Sequence, residues 1–200
     1  MAGVFGFCGS PSLLIAILLF TGTVVPSLSN VPNADPLWGY FSAVAGQDGQ
    51  IDTRELQRAL TASGIAGSYQ SFSKATCKVL ILMLDHDRSG MMGFNEFKEL
   101  WNVLNQWKAS FLTTDRDRSG TLEPHELHHA LLNFGYNLSP NALGAIIRRF
   151  AVNGRISLDD YILCSIRLRT VTDHFKMRDT SRNGHANFQY DDFIQVVMSV

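Results

Sequence analysis

The chain has 200 residues, 46% of them hydrophobic and 18% charged, with a formal net charge of -1. This length and apolar content support one or two compact domains with a substantial core, and the near-neutral balance excludes the clustered basic excess that a nucleic-acid surface requires. Cys8, Cys77 and Cys164 are an odd number, too widely spaced for a disulfide framework or a zinc ligand set, so reduced thiols in a cytosolic protein are expected.

Residues 1–34 read as an atypical apolar or flexible leader. Its run LLIAILLFTGTVV, Leu13 to Val25, is shorter than the roughly 20 residues of a membrane-spanning helix. The run is long enough for a signal-peptide core, and Ser27-Leu28-Ser29 offers small residues near a cleavage point. However, no Lys or Arg precedes Arg54, so the positive segment of such a signal is missing. Secretory targeting by this run stays an alternative.

Next comes AGQDGQIDTRE, Ala45 to Glu55, which has the carboxylates, central Gly and closing Glu of a calcium loop but opens on Ala and is one residue short. Two complete loops lie downstream and supply the standard for it. DHDRSGMMGFNE (Asp85 to Glu96) and DRDRSGTLEPHE (Asp115 to Glu126) both match D-x-[DN]-x-[DNS]-G-x5-E, the twelve-residue loop of an EF-hand.

The pattern has a chemical reason. Calcium is a hard cation that takes six to eight oxygens, supplied from loop positions 1, 3, 5, 7, 9 and 12. In the earlier loop these are Asp85, Asp87, Ser89, the carbonyl of Met91, a water near Gly93, and Glu96. In the later loop they are Asp115, Asp117, Ser119, the carbonyl of Thr121, Glu123 through water, and Glu126. Gly90 and Gly120 stand at position 6, where the chain turns sharply. The later loop carries one more carboxylate and is expected to be the tighter site.

The flanks have helical periodicity. Cys77, Leu80, Ile81 and Leu84 precede the first of these loops, and Phe94, Phe97, Trp101, Leu104 and Phe111 lie between the two. Gly90 and Gly120 are 30 residues apart (120 − 90), which predicts one long helix shared between the hands. Met92 and Leu122, at position 8, are expected to pair loops through short strands and to point into the core.

The same spacing finds weaker copies downstream. Around Gly154, position 1 is Arg149 and position 3 is Ala151, so this loop is expected to keep its shape and lose calcium. Around Gly184, Asp179, Ser181 and Asn183 suit the early positions, but position 12 is Tyr190, and bringing Asp192 into line with Glu96 needs two inserted residues. Calcium is not expected there. The opening stretch then reads as a contracted loop, with the Ala45 carbonyl replacing the first carboxylate beside Asp48, the Gln50 carbonyl, Asp52 through water, and Glu55.

Five hands, the first contracted and the fifth expanded, resemble the penta-EF-hand family. The resemblance covers Asp35 to Val200 and is carried by DPLWGYFSAVAGQDGQID, SGIAGSY, MGFNEFKELW and YDDFIQVVMSV. It implies an all-α fold with short paired strands between loops, the hands falling at about 35–63, 74–104, 105–135, 139–168 and 169–200. It also implies a calcium sensor that is cytoplasmic, moves reversibly to sarcoplasmic or endoplasmic reticulum membranes, and binds calcium-dependent targets such as calcium-release channels and annexins. A homodimer through the fifth hand, or a heterodimer with a related chain, is implied as well. An odd hand leaves Phe188, Phe193, Ile194, Val197 and Met198 short of a partner, which a two-fold copy would supply. The apolar run at Leu13 to Val25 departs from the Gly/Pro-rich tail of such proteins.

No enzyme is expected. His125-Glu126-Leu127-His128-His129 spells the zinc-protease H-E-x-x-H, but Glu126 already closes a calcium loop and no third zinc ligand is nearby. Cys77 and Cys164 lie in apolar helical patterns, as buried side chains do, and Trp101 and Trp107 suit a core or an interface. The expected mechanism is a population shift in which calcium draws Glu96 and Glu126 onto the ion, reorients their helices and uncovers apolar surface. A calcium buffer, a secretory-pathway calcium-binding protein and a regulatory subunit of a calpain-like protease remain alternatives.

Overall fold

A computed structural model describes residues 35–66 and 71–198; the leader and the apolar run at 13–25 lie outside them. Among the described residues there are eight α-helices: α1 (Pro36–Ala45), α2 (Thr53–Ala62), α3 (Lys74–Leu84), α4 (Phe94–Thr114), α5 (Pro124–Asn133), α6 (Pro140–Phe150), α7 (Leu158–Arg178) and α8 (Tyr190–Met198). Strand character is confined to isolated bridges. No helix of the described residues is long and apolar enough to cross a membrane.

Side-chain caps mark several starts. Asp35 accepts from the Leu37 N–H ahead of Pro36, and Ser73, Ser139 and Ser157 cap α3, α6 and α7. Asp52 accepts from Arg54 and Glu55 N–H while Glu55 accepts from Asp52 N–H, a reciprocal capping box.

The helices form five helix–loop–helix units, α1–α2, α3–α4, α4–α5, α6–α7 and α7–α8. The 21-residue α4 leaves one hand and enters the next, as the glycine spacing predicts. Gly154 and Gly184 are also 30 residues apart (184 − 154), and the 21-residue α7 between their loops is a second such rod. Each is about 30 Å long at a rise of 1.5 Å per residue.

The loops pair as position 8 requires. Ile51 bridges Met92 and Leu122 bridges Ile156, and all four side chains have 0% exposure. Hands 1 and 2 thus form one pair, and hands 3 and 4 another. The core is continuous from Phe41 and Leu56 through Phe97, Leu100 and Leu104 to Leu127, Tyr161 and Ile162. α7 packs against α3, α4 and α6, and the Ser73 N–H donates to buried Asp159 of α7 at 3.1 Å. The two pairs therefore share one interior.

Hand 4 corrects one expectation. Its loop does not keep the twelve-residue shape: α6 runs through Arg149 to Phe150, and Val152 and Arg155 close a two-residue hairpin, with N–H to O distances of 2.8 and 3.0 Å. Asn153 and Gly154 take φ of 52° and 77°, the left-handed pair that a type I′ turn needs and that Asn-Gly favours. Only the rear half, the Ile156 bridge and the entry to α7, retains the EF-hand form.

Candidate metal centres

Two carboxylate groups converge. One oxygen from each of Asp85, Asp87 and Glu96 lies within 4.8 Å of the others, and Asp115, Asp117 and Glu126 do the same. In each loop the first and last ligands are tied down by backbone donors. Asp85 accepts from Ser89 N–H (2.9 Å) and Gly90 N–H (2.9 Å), and Glu96 from His86 N–H (2.9 Å) and Gly93 N–H (2.8 Å). Asp115 accepts from Ser119 and Gly120 N–H, and Glu126 from Arg116 N–H (3.0 Å) and Glu123 N–H (2.9 Å). The reach from position 12 to the amide at position 2 spans the loop, so each Glu already holds its mouth in shape.

Positions 4 and 6 supply the curvature. Arg88 and Arg118 take φ of 60° and 56°, and Gly90 and Gly120 of 75° and 77°, so each loop has two left-handed residues, one of them glycine. Ser89 Oγ donates to the Met91 carbonyl at 3.2 Å and Ser119 Oγ to the Thr121 carbonyl at 2.8 Å. The ligands at positions 5 and 7 of each loop therefore lie side by side.

Electrostatics make this a cation site. Hydrogen bonds from Ser89 hold the Asp87 carboxyl below its ordinary range, and those from Ser119, with Arg155 nearby, do the same for Asp117. Both groups stay ionised among other carboxylates. Asp115 and Glu126 are 4% exposed, and two like charges within 4.8 Å of each other repel by at least about 3 kcal/mol at an effective dielectric near 20. An all-oxygen set of this charge and shape fits calcium, which would be held in each loop by these carboxylates, the serine and the carbonyl.

The other loops differ. In hand 1 no three carboxylates of the described residues converge. Asp48 accepts from Gln50 N–H at 3.2 Å, Asp52 is occupied in capping α2, and Glu55 directs Oε2 to the Asp52 amide at 2.9 Å. The other Glu55 oxygen faces Gly46, 4.0 Å from where a Cβ would stand, next to Ala45 at the mouth of the loop. In hand 5, Asp179 keeps its front-end wiring to Asn183 and Gly184 N–H. α8, however, starts with its Phe193 N–H bonded to the Gln189 carbonyl, which moves the helix entry two residues along from Asn187 at position 9. The residue facing the loop from the helix is then Asp192, and Arg178 captures it with both Nε (2.6 Å) and Nη2.

The H-E-x-x-H string gathers no metal set among the described residues. His125 pairs with Glu123 at 3.2 Å, and Glu126 is committed to the loop. Cys77 and Cys164 are buried free thiols, each pushed up to about 12 by burial. Sequence reasoning misses Arg155, whose guanidinium enters the ligand set of hand 3 from hand 4; a charged residue next to a position-8 Ile is the signal present.

Paired helix–loop–helix units with oxygen-ligand loops define an EF-hand calcium-binding protein. Residues 47–104 match the EF-hand domain pair model. The chain is 60% identical to sorcin of Homo sapiens over 166 residues, covering 83% of this chain and 84% of that protein. It is 53% identical to grancalcin of Mus musculus over 181 residues, covering 90% and 82%. A solved structure of a homolog of programmed cell death 6 protein from Leishmania major Friedlin superposes with a TM-score of 0.66 at 33% identity, over 82% of this chain and 94% of that one. The chain belongs to the penta-EF-hand family and binds calcium. Members of the family dimerise and have calcium-dependent partners, and sorcin and grancalcin are calcium-binding regulators rather than enzymes.

Proposed function

We propose that this chain is a calcium sensor that answers micromolar calcium by changing conformation, exposing apolar surface and binding protein targets or membranes. The observation that carries this reading is the seat of Glu96 and Glu126. Each is both the closing carboxylate of its loop and a first-turn residue of the exit helix. An ion that draws either carboxylate inward pulls a helix with it. Because α4 leaves one site and enters the other, a shift at either end is felt at both.

Apolar surface is available to such a switch. Trp38, Leu82, Leu112, Leu132 and Phe134 are exposed, with Trp38 resting edge-on against Phe94 of α4 at 4.8 Å. On α8, Phe193, Ile194, Val197 and Met198 are exposed, and the hand 5 loop makes no bridge among the described residues. A homodimer through hand 5 would cover this face with two-fold symmetry; a related chain would serve equally in a heterodimer.

The setting proposed is cytoplasmic, with recruitment to sarcoplasmic or endoplasmic reticulum membranes and regulation of calcium-release channels in the manner of sorcin, annexins being a further target class. The test is sedimentation of the full chain with reticulum vesicles across a calcium series. Reversible binding at micromolar calcium, released by a chelator, is expected. Tight calcium binding with no vesicle association and no target capture would make the chain a buffer instead.

A further inference from the structure

Arg155 belongs to hand 4 and ends in the ligand set of hand 3. It leaves the Asn153-Gly154 turn and immediately precedes Ile156, which bridges Leu122. That register points the side chain over the neighbouring loop. Nη1 donates to Ser119 Oγ at 3.3 Å and lies 3.7 Å from Asp117 Oδ2, while Nη2 lies 2.9 Å from Glu123 Oε1. These partners are positions 5, 3 and 9 of the loop.

The other pair has no equivalent. The residue at the matching place, just before Ile51, is Gln50, and among the described residues no ion pair reaches Asp85 or Asp87. Hand 3 has four carboxylates, Asp115, Asp117, Glu123 and Glu126, against three in hand 2, Asp85, Asp87 and Glu96. On carboxylate count alone hand 3 would be the tighter site. The fourth carboxylate is, however, the one that Arg155 holds most closely.

We infer that Arg155 is a resident counter-cation that competes with calcium for hand 3 and lowers its affinity toward that of hand 2. Calcium needs the Asp117 and Ser119 oxygens turned onto the ion, and the water held by Glu123 as well. A guanidinium on those same oxygens must withdraw, or stay and repel a divalent ion. It therefore stabilises the ion-free loop more than the loaded one. This rests on the reading that hand 3 binds calcium.

The test is a calcium titration of the full chain by amide NMR in chelator-buffered solutions, following Gly90 and Gly120 as separate reporters of the two loops. Each donates to the first carboxylate of its loop at 2.9 Å. Arg155→Gln, which copies Gln50, is expected to tighten the Gly120 transition roughly three- to tenfold, the size that removal of partly exposed ion pairs allows, and to move Gly90 by less, through the coupling that α4 carries. Arg155→Lys, keeping the charge without the fork, is expected to fall between. An unchanged or weakened Gly120 transition in a folded Arg155→Gln chain overturns the inference. Absence of any Gly120 transition in the unsubstituted chain, with Gly90 responding, would instead sink the calcium reading of hand 3, and the inference with it.

Discussion

Ile51 and Met92 exchange both backbone hydrogen bonds, at 2.9 and 3.0 Å, and neither side chain has any exposure. This contact joins the contracted loop of hand 1 to the complete loop of hand 2. Truncating Ile51 removes a branched side chain from a site with no slack. Ile51→Ala is expected to cost about 2–4 kcal/mol of stability, read as a lowered midpoint in denaturant unfolding of the calcium-free chain. A loss below about 0.5 kcal/mol would mean that the loops are not coupled through this bridge.

Glu126→Gln keeps the shape of the closing ligand and removes its charge. Calcium affinity at hand 3 is expected to fall at least about tenfold, with helical content retained, as measured by calorimetry and circular dichroism. Because α4 ties the two sites, affinity at hand 2 is also expected to shift, by about fivefold at the low end of ordinary coupling between sites.

The thiols of Cys77 and Cys164, both pushed up to about 12 by burial, carry almost no thiolate at neutral pH. In a Cys8→Ala chain, a thiol reagent at pH 8 is expected to label neither residue in the native state and both in denaturant. Rapid native labelling of either would contradict the packing around α3 and α7.

The Arg178 guanidinium holds the Asp192 carboxyl below the usual carboxylate range. A lowered folded value means that the contribution of this pair is present at neutral pH and is lost as pH falls through that value, below about pH 4. Amide hydrogen exchange in α8, corrected for intrinsic rates, is expected to show steady protection down to about pH 4 and loss below it. In Asp192→Asn the acid step is expected to vanish.

Much of the site is legible in the sequence because EF-hand ligands are neighbours in the chain: Asp85 to Glu96 and Asp115 to Glu126 carry position, charge and turn within twelve residues. The long helix α4 follows from glycine spacing alone. Hand 4 departs from its expected shape because the local turn chemistry of Asn153-Gly154 outweighs the shared spacing, ends α6 late and closes a hairpin. The reach of Arg155 to Ser119 crosses 36 positions and depends on the Leu122–Ile156 bridge, so no short window contains it. The fate of Asp192 is half legible: the two-residue expansion can be counted, but its capture by Arg178 cannot.

One titration shows whether calcium changes the shape of this chain as well as binding to it. The full chain is taken from nanomolar to millimolar calcium while tryptophan fluorescence and binding of a hydrophobic dye are followed together. One transition is expected in the micromolar range, in which the tryptophan signal and dye binding change together and both reverse on chelation. Calcium bound at micromolar concentration with both signals flat would contradict a calcium-driven change of shape.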